Sequence, residues 1–310
     1  MPELDLSDTQ WVAADWGSSN LRLWVMGPDD AVIAAINDPR GAAGLSGAAF
    51  EDTLRACLAP VLADWRGGDL PVIACGMVGA RQGWAEAAYL TVPGVPVDGK
   101  LALRVSDVGA GLSVFILPGM SQQQPADVMR GEETQIAGLL ATDPGFDGML
   151  CLPGTHCKWA RIKDGQVLSF ATCMTGELFA LLAGSSVLRH SVDRASWDAA
   201  VFDTAVAEAL SQPGALTPSL FGIRASALLH GTGPDKATAR LSGLLIGSEV
   251  GVMRGQWDGR PVAILGASGL SDSYARALTT AGAEVSRIDA ETATLRGLTA
   301  AYHQMKGQTT

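Results

Sequence analysis

A weak internal repeat is the feature of this sequence that most restricts its fold. An apolar segment runs into a turn of glycine and hydroxyl residues, and two further apolar segments follow; the pattern spans residues 11–35 and again 149–172. Gly17 and Gly154 begin equivalent turns, which are 137 residues apart. That distance exceeds the ~20–50 residues of solenoid repeats and is close to one domain length. The sequence therefore predicts a duplicated domain.

Short apolar segments alternate with amphipathic ones along the whole chain, which is typical of an α/β protein. A chain of 310 residues is long enough for two domains at ~150 residues each. We expect a loop over residues 121–130 and a helix over 132–142, followed by the turn TDPGFD. The predicted domains are accordingly residues 1–142 and 143–310, and the last helix is expected to pack back on the first domain.

Composition and charge exclude several classes of protein. Apolar residues make up 47% of the chain, which excludes a disordered chain, and the net charge of −10 disfavours a nucleic-acid binder. The longest apolar stretch, residues 241–253, is shorter than the ~20 residues of a membrane span. Five cysteines without a CxxC pair predict reduced thiols rather than disulfides or a zinc site. With an acidic N-terminus unlike a signal peptide, a cytoplasmic location is expected.

The first glycine-hydroxyl turn, DWGSSN, places an acid at the end of a predicted strand. Asp15 suits a Mg²⁺ ion with its shell of water, and Gly17, Ser18, Ser19 and Asn20 offer donors for phosphate oxygens. An ordinary hairpin turn with a solvated acid is the alternative interpretation.

The second turn, PGTHCKW, repeats this arrangement with a cation. Gly154, Thr155 and Lys158 could bind a phosphate, whereas His156 is expected to fill space. Leu152 stands where the first copy has its acid. Two such turns could hold a polyphosphate from both sides.

A third turn, ILGASGLSDSY, leads from an apolar strand into a helix. Gly266, Ala267 and Ser268 allow close backbone approach, and the helix N-terminus favours a polar or anionic group. A nucleoside site and a purely structural turn both fit this segment.

Two glutamates open the predicted helix in MRGEETQIAG. Glu132 and Glu133 would be favoured there by the helix dipole alone, but Glu132 could also act as a general base towards an alcohol. Arg130 beside them could hold an acidic substrate through bidentate contacts.

These turns and this helix follow one another in an order that resembles the actin-like superfamily of sugar kinases and ATPases. More narrowly, the chain is similar to the 2-dehydro-3-deoxygalactonokinase family. The matching strings span roughly residues 11–274: DWGSSNLRLW, GMVGARQGW, MRGEETQIAG, LPGTHCKW, MTGELFALL, LSGLLIGSEV and GASGLSDSY.

The resemblance implies two ribonuclease-H-like domains with an interdomain nucleotide cleft, ATP with Mg²⁺, and transfer of phosphate to the 6-hydroxyl of 2-dehydro-3-deoxy-D-galactonate. It implies that Asp15 is the metal-associated acid, that the two glycine turns bind phosphate and that the third turn binds adenosine. Gly131-Glu132-Glu133 stands where related sugar kinases have Gly-Asp-Gln, which leaves the base open between the two glutamates, with Asp15 as a weaker candidate.

The cation for the substrate carboxylate stays open among Arg130, Arg81, Arg22 and Lys158, and Met77 and Gly79 could shape the sugar pocket. The expected partner is a small sugar acid, without nucleic acid or membrane, and the sequence carries no signal for an oligomeric state. Alternatives on the same fold are a kinase of a related 2-keto-3-deoxy sugar acid, a regulatory or assembly ATPase, a sugar-responsive repressor and a phosphatase.

Overall fold

The computed structural model describes residues 5–193, 197–266 and 268–307. The chain forms two compact units. Unit 1 comprises the described residues of Met1–Phe146, Asp164–Leu168 and Ala290–Thr310, and unit 2 those of Asp147–Lys163 and Ser169–Asp289. The units therefore change after residue 146, whereas the sequence places the change after 142. Among the described residues, none of the helices combines the length and apolar character needed to cross a bilayer.

Unit 1 is built on a six-stranded mixed sheet in the order β3-β2-β1-β4-β7-β6. A small second sheet has the order β5-β8-β9. The elements are β1 (Trp11–Trp16), β2 (Leu21–Met26), β3 (Val32–Asp38), α1 (Ala49–Asp64), β4 (Leu70–Gly76), β5 (Tyr89–Thr91), β6 (Leu103–Arg104), β7 (Leu112–Ile116), β8 (Gly119–Gln122), β9 (Asp127–Met129) and α2 (Glu132–Thr142).

Strand β1 lies inside the sheet and is covered on both faces, which explains the apolar run from Trp11 to Ala14. Successive side chains of a strand point to opposite faces. Val12 and Ala14 accordingly pack in the core that includes Phe50 of α1. Trp11 points the other way, and its ring stacks on Tyr302 with centroids 4.3 Å apart.

Tyr302 belongs to the C-terminal helix α9 (Ala290–Lys306), which follows unit 2 in the chain but is part of unit 1. Leu298, Ala301 and Tyr302 of α9 are buried against the sheet. Each fully buried side chain of leucine or tyrosine size stabilises the fold by ~1.5–3 kcal/mol. Helix α9 therefore completes the core of unit 1.

Unit 2 repeats the sheet of unit 1 in the order β12-β11-β10-β13-β14. In both sheets an antiparallel hairpin precedes strands that run parallel to its first strand. The elements are β10 (Gly148–Leu152), β11 (Cys157–Lys163), β12 (Gln166–Cys173), α3 (Thr175–Ser185), α4 (Ala199–Ser211), α5 (Leu216–His230), α6 (Pro234–Val252), α7 (Arg254–Trp257), β13 (Val262–Gly266), α8 (Ser268–Thr280) and β14 (Val285–Asp289). The five strands of unit 2 match the first five strands of the unit 1 order, and β6 is an additional antiparallel strand of unit 1; the match supports the duplicated domain.

One structural expectation was wrong. Residues 121–130 were expected to form a loop, but β8 and β9 pair as an antiparallel hairpin, with Met120 opposite Met129. The segment lacks the alternation of apolar and polar residues that identifies a half-buried strand. Only Ser121 and Gln122 of the segment belong to β8, and β9 has three residues, so neither stretch is long enough to show a periodic pattern.

Candidate active site

The glycine-hydroxyl turn of unit 1 joins β1 to β2 and is fixed from outside the hairpin. Within the turn, Gly17 N–H donates to Asn20 O over 3.0 Å. The carbonyl of Gly17 accepts from Ala42 N–H at 2.9 Å, and that of Ser18 from Ala43 N–H at 3.1 Å. Ser18, Ser19 and Asn20 are exposed, so their hydroxyl and amide groups are accessible to a ligand.

The backbone approaches this turn so closely that a side chain at residue 41 is excluded. A Cβ atom at Gly41 would overlap the carbonyl group of Ser18. The contact with Ser18 therefore requires glycine at position 41, and it restricts the conformation of the turn.

Asp15 stands at the end of β1, directly before the turn. Its side chain is 14% exposed, and Oδ2 accepts from Arg22 Nη2 at 2.7 Å on the opposite strand. Burial raises the pKa of Asp15, and the positive charge of Arg22 partly offsets that effect. The carboxylate is thus held by an ion pair, with Oδ1 4.0 Å from Cys75 Sγ.

Three chain segments meet beside Asp15 through two glycines with positive φ. Gly76 ends β4 with φ +91° and Gly131 precedes α2 with φ +106°. A Cβ at Gly131 would lie 3.3 Å from Gly76 Cα, and one at Gly76 would lie 2.8 Å from Trp16 O. The ends of β1 and β4 and the start of α2 are therefore in contact, so the acids of α2 begin at the same edge of the sheet as Asp15.

The two glutamates at the start of α2 occupy different environments. Glu132 is partly exposed, and its Oε2 accepts from Arg130 N–H at 3.0 Å. Glu133 is 1% exposed and accepts from Gly131 N–H at 2.7 and 2.8 Å and from Thr134 Oγ1 at 3.1 Å.

Burial, together with the negative charge of Glu132, raises the pKa of Glu133 to about 8, while the hydrogen bond from Gly131 opposes the shift. Glu133 is therefore mainly neutral at pH 7. Glu132 is the glutamate of this pair that a substrate can reach.

The residues predicted to bind substrate are divided between buried and exposed positions. Gly79 is buried and Met77 is exposed in the turn after β4. Arg81 has a side chain that is 79% exposed and pairs with Glu86 at 3.3 Å. Arg130 lies against the ring of Tyr89, with its guanidinium carbon 4.3 Å from the ring centroid. Of the two arginines, only Arg130 is packed into the unit.

The second glycine-hydroxyl turn, in unit 2, rests on the start of α3. Glu177 N–H donates to Thr155 O at 2.9 Å, and His156 Nε2 lies 2.6 Å from Glu177 Oε2. A Cβ at Gly176 would overlap Gly154 O and lie 2.9 Å from Thr155 Cα. Sequence reasoning missed this role of Gly176, although the glycine in MTGELFALL was a possible signal for it.

Lys158 lies on β11 opposite Leu152 and is only 5% exposed. Its predicted contact with phosphate remains a prediction.

A cavity of about 1060 Å³ opens in unit 2 beside this turn. Gly154 and Thr155 form part of its wall. The remaining wall comes mainly from α3, α6 and α8 and includes Phe179, Trp197, Ser242, Leu245, Leu270 and Tyr274. A mostly apolar cavity of this size with a few polar groups is typical of a site for a nucleotide-sized ligand.

Gly266, at the end of β13, lies next to the second turn. A Cβ there would be 2.6 Å from Ser271 Oγ and 3.3 Å from Pro153 Cδ. Gly269 and Leu270, in the first turn of α8, line the cavity. Ala267 lies outside the described residues, and Ser268 begins α8 without a described side chain.

The acids of the described residues do not form a closed metal site, since no group of three or more potential ligands is present there. Mg²⁺ in phosphoryl transfer is usually held by one or two carboxylates, by water and by substrate phosphates. The partly buried carboxylate of Asp15, next to a turn of donors, fits that kind of site.

Comparison with solved structures defines the class of the fold. A dehydratase activator from Clostridium difficile with bound ADPNP aligns over 96% of both chains with a TM-score of 0.53 and 12% identity. Component A of an Acidaminococcus fermentans dehydratase gives a TM-score of 0.52 over 95% of this chain and 98% of that one, at 11% identity. The fold is that of the actin-like ATPases and sugar kinases.

Closer relatives define the family. The model of the 2-keto-3-deoxy-galactonokinase family matches residues 15–301, and the chain belongs to that family. It is 34% identical to 2-dehydro-3-deoxygalactonokinase of Escherichia coli K12, over 95% of this chain and 98% of that protein. A Rhizobium meliloti protein provisionally given the same name is 41% identical over 94% of this chain and 96% of its own length. A crystal structure from Sinorhizobium meliloti, also provisionally so named, has a TM-score of 0.87 at 39% identity and covers 95% of this chain and 99% of its own.

Proposed function

We propose that this protein transfers the γ-phosphoryl group of ATP to the 6-hydroxyl of 2-dehydro-3-deoxy-D-galactonate in galactonate breakdown. Family membership supports the reaction. The observation that supports the assignment of roles is the contact in unit 1 between the ends of β1 and β4 and the start of α2, the elements that carry Asp15 and Glu132. A carboxylate next to a phosphate-type turn is the arrangement that proton removal from an attacking alcohol requires.

Glu132 is the proposed general base. Its partly exposed carboxylate accepts the proton of the 6-hydroxyl as the phosphoryl group is transferred. The buried, mainly neutral Glu133 instead holds the Gly131 backbone that positions Glu132.

The nucleotide is proposed to bind in unit 2. Gly154 and Thr155 would contact its phosphates with help from Lys158, and the cavity lined by α3, α6 and α8 would hold adenosine near Gly266, Ala267 and Ser268. In unit 1, Gly17, Ser18, Ser19 and Asn20 are proposed to donate to phosphate oxygens.

Asp15 would hold Mg²⁺ through water, and the ion would neutralise the charge on the phosphates. Arg22 keeps the Asp15 carboxylate in place by the ion pair across the hairpin. On the acceptor side, Met77, Gly79, Arg81 and Arg130 remain the proposed contacts of the sugar acid. Five free cysteines fit the reducing cytoplasm, where we place the reaction.

The reaction is tested by an ADP-release assay with ATP and a panel of 2-keto-3-deoxy sugar acids, followed by ³¹P and ¹³C NMR of the product. The expected result is turnover that depends on the acid and gives a 6-phosphate. Sustained ATP hydrolysis without any sugar acid would instead favour a regulatory or assembly ATPase. Preferred turnover of a stereoisomer would reassign the substrate within the same class.

The assignment of the base is tested by Glu132→Gln and Glu133→Gln. A general base contributes ~10²–10⁴-fold to turnover, so Glu132→Gln should lower kcat by about that factor with little change in ATP affinity. Glu133→Gln should keep most activity because its amide oxygen can still accept from Gly131 N–H. The exposed Glu284→Gln serves as a control. Near-normal kcat in Glu132→Gln would remove that residue from the role.

A further inference from the structure

The guanidinium group of Arg130 is buried with most of its hydrogen-bonding capacity unused. Its Nη2 donates to Ala87 O at 2.7 Å, and its face packs on Tyr89. Among the residues that the structure describes, Nε and Nη1 are buried and have no hydrogen-bond partner. Buried donors are nearly always paired, so two unpaired donors on one cation need an explanation.

Two glycines make room for this arrangement. A Cβ at Gly79 would lie 2.9 Å from Arg130 Nη1 and 2.7 Å from Ile116 Cγ2. On the other side, a Cβ at Gly119 would lie 2.9 Å from the Tyr89 ring. Gly79, Gly119, Ala87 and Tyr89 thus form a socket for the guanidinium group.

A buried positive charge with free N–H groups is stabilised most by an anion that accepts from them. The other arginines of the matching strings in unit 1 are already engaged. Arg22 is paired with Asp15, and Arg81 is exposed and paired with Glu86. Arg130 is the arginine of this set that still requires an anionic partner.

The socket is directly connected to the proposed base. Arg130 N–H donates to Glu132 Oε2, and only Gly131 separates the two residues in the chain. A ligand bound by the Arg130 side chain therefore lies in the same part of unit 1 as the group that activates the hydroxyl. Tyr89 is 40% exposed, so the ring that packs on the guanidinium group lies at the surface of the unit.

We propose that Arg130 binds the substrate carboxylate through Nε and Nη1, and that this contact makes the site select sugar acids over neutral sugars. The inference rests on the proposed kinase function and adds the determinant of its substrate class. Arg81, whose side chain is 79% exposed and paired with Glu86, is not assigned this role.

The test compares the sugar acid with an analogue in which the carboxylate is replaced by an uncharged hydroxymethyl group. For each enzyme, kcat/KM is measured on both compounds, and the ratio defines the acid preference. Hydrogen bonds between charged partners predict a loss of about 100-fold in that ratio for Arg130→Met. Arg130→Lys keeps the charge and most of the packing but loses the planar donors, so its acid preference should fall about tenfold. The exposed Arg66→Ala changes the net charge equally and should leave the ratio unchanged.

The outcomes separate the two proposals. Loss of acid preference, with kcat/KM on the neutral analogue retained, supports the role of Arg130. Equal losses on both compounds would show that Arg130 only maintains the fold, and an unchanged preference would exclude it from recognition; either result overturns the inference. If Arg130→Met does not fold, the same comparison with Arg130→Lys decides. Wild-type enzyme that phosphorylates no 2-keto-3-deoxy acid would instead refute the proposed function.

Discussion

The buried carboxyl group of Glu133 should make the stability of the protein depend on pH. Its pKa is raised from 4.5 to about 8, so the folded state binds this proton more tightly than the unfolded state. Wherever the folded state binds more protons, stability falls as pH rises. The protonated Glu133 carboxyl group therefore contributes its full share of the unfolding free energy below about pH 4.5, and this share is lost as pH rises through about 8.

Each pKa unit corresponds to about 1.4 kcal/mol, and the window from pH 5 to pH 8 covers most of the shift. The carboxyl group should therefore cost the wild type about 3 kcal/mol of unfolding free energy between these two values. Glu133→Gln removes the titration but keeps the size of the side chain and an oxygen acceptor for Gly131 N–H. The variant should gain about 3 kcal/mol relative to the wild type on going from pH 5 to pH 8.

The assay is urea unfolding followed by tryptophan fluorescence at pH 5 and pH 8. The control is Glu86→Gln, an exposed position in the same unit, which should change stability by less than about 0.5 kcal/mol at either pH. A difference between Glu133→Gln and wild type that is the same at both pH values, or that shrinks as pH rises, would refute the reasoning.

Two further predictions concern glycines in close backbone contacts. Gly176→Ala should weaken ATP binding about tenfold, because its Cβ would overlap Gly154 O and displace the second turn; calorimetric titration measures this, and unchanged affinity would exclude the turn from binding. Gly297→Ala should lower the unfolding free energy by about 2 kcal/mol, because its Cβ would overlap Thr134 O where α9 packs on α2. Gly222→Ala, in open space on α5, is the control for both. It should leave ATP affinity unchanged and be neutral or slightly stabilising in urea unfolding.

The parts of the fold that follow local rules were predictable from the sequence. The apolar run of β1 and the hairpin after Gly17 were evident because a strand buried on both faces leaves an unbroken apolar segment. Helix α2 over residues 132–142 was predicted from its apolar periodicity, and the acids in its first turn fit a helix N-terminus.

Contacts between distant segments could not be predicted in this way. Nothing in two adjacent glutamates tells which one is buried, since that is set by the φ of +106° at Gly131 and its contact with Gly76. The socket of Arg130 depends on Gly79, which is 51 residues away in the chain. The assignment of Arg130 over Arg81 thus required coordinates, because both are arginines in equally suggestive strings.

The position of α9 has a consequence for the order in which the two units can fold during synthesis. Its Tyr302 covers Trp11, so β1 acquires part of its cover from a helix that is synthesised only after the whole of unit 2. Until α9 has been made, the face of the sheet that carries Trp11 and Ala13 lacks the cover of Leu298, Ala301 and Tyr302 and is more accessible to water and to other nascent chains. We therefore expect that unit 2 can fold during synthesis before the core of unit 1 is complete.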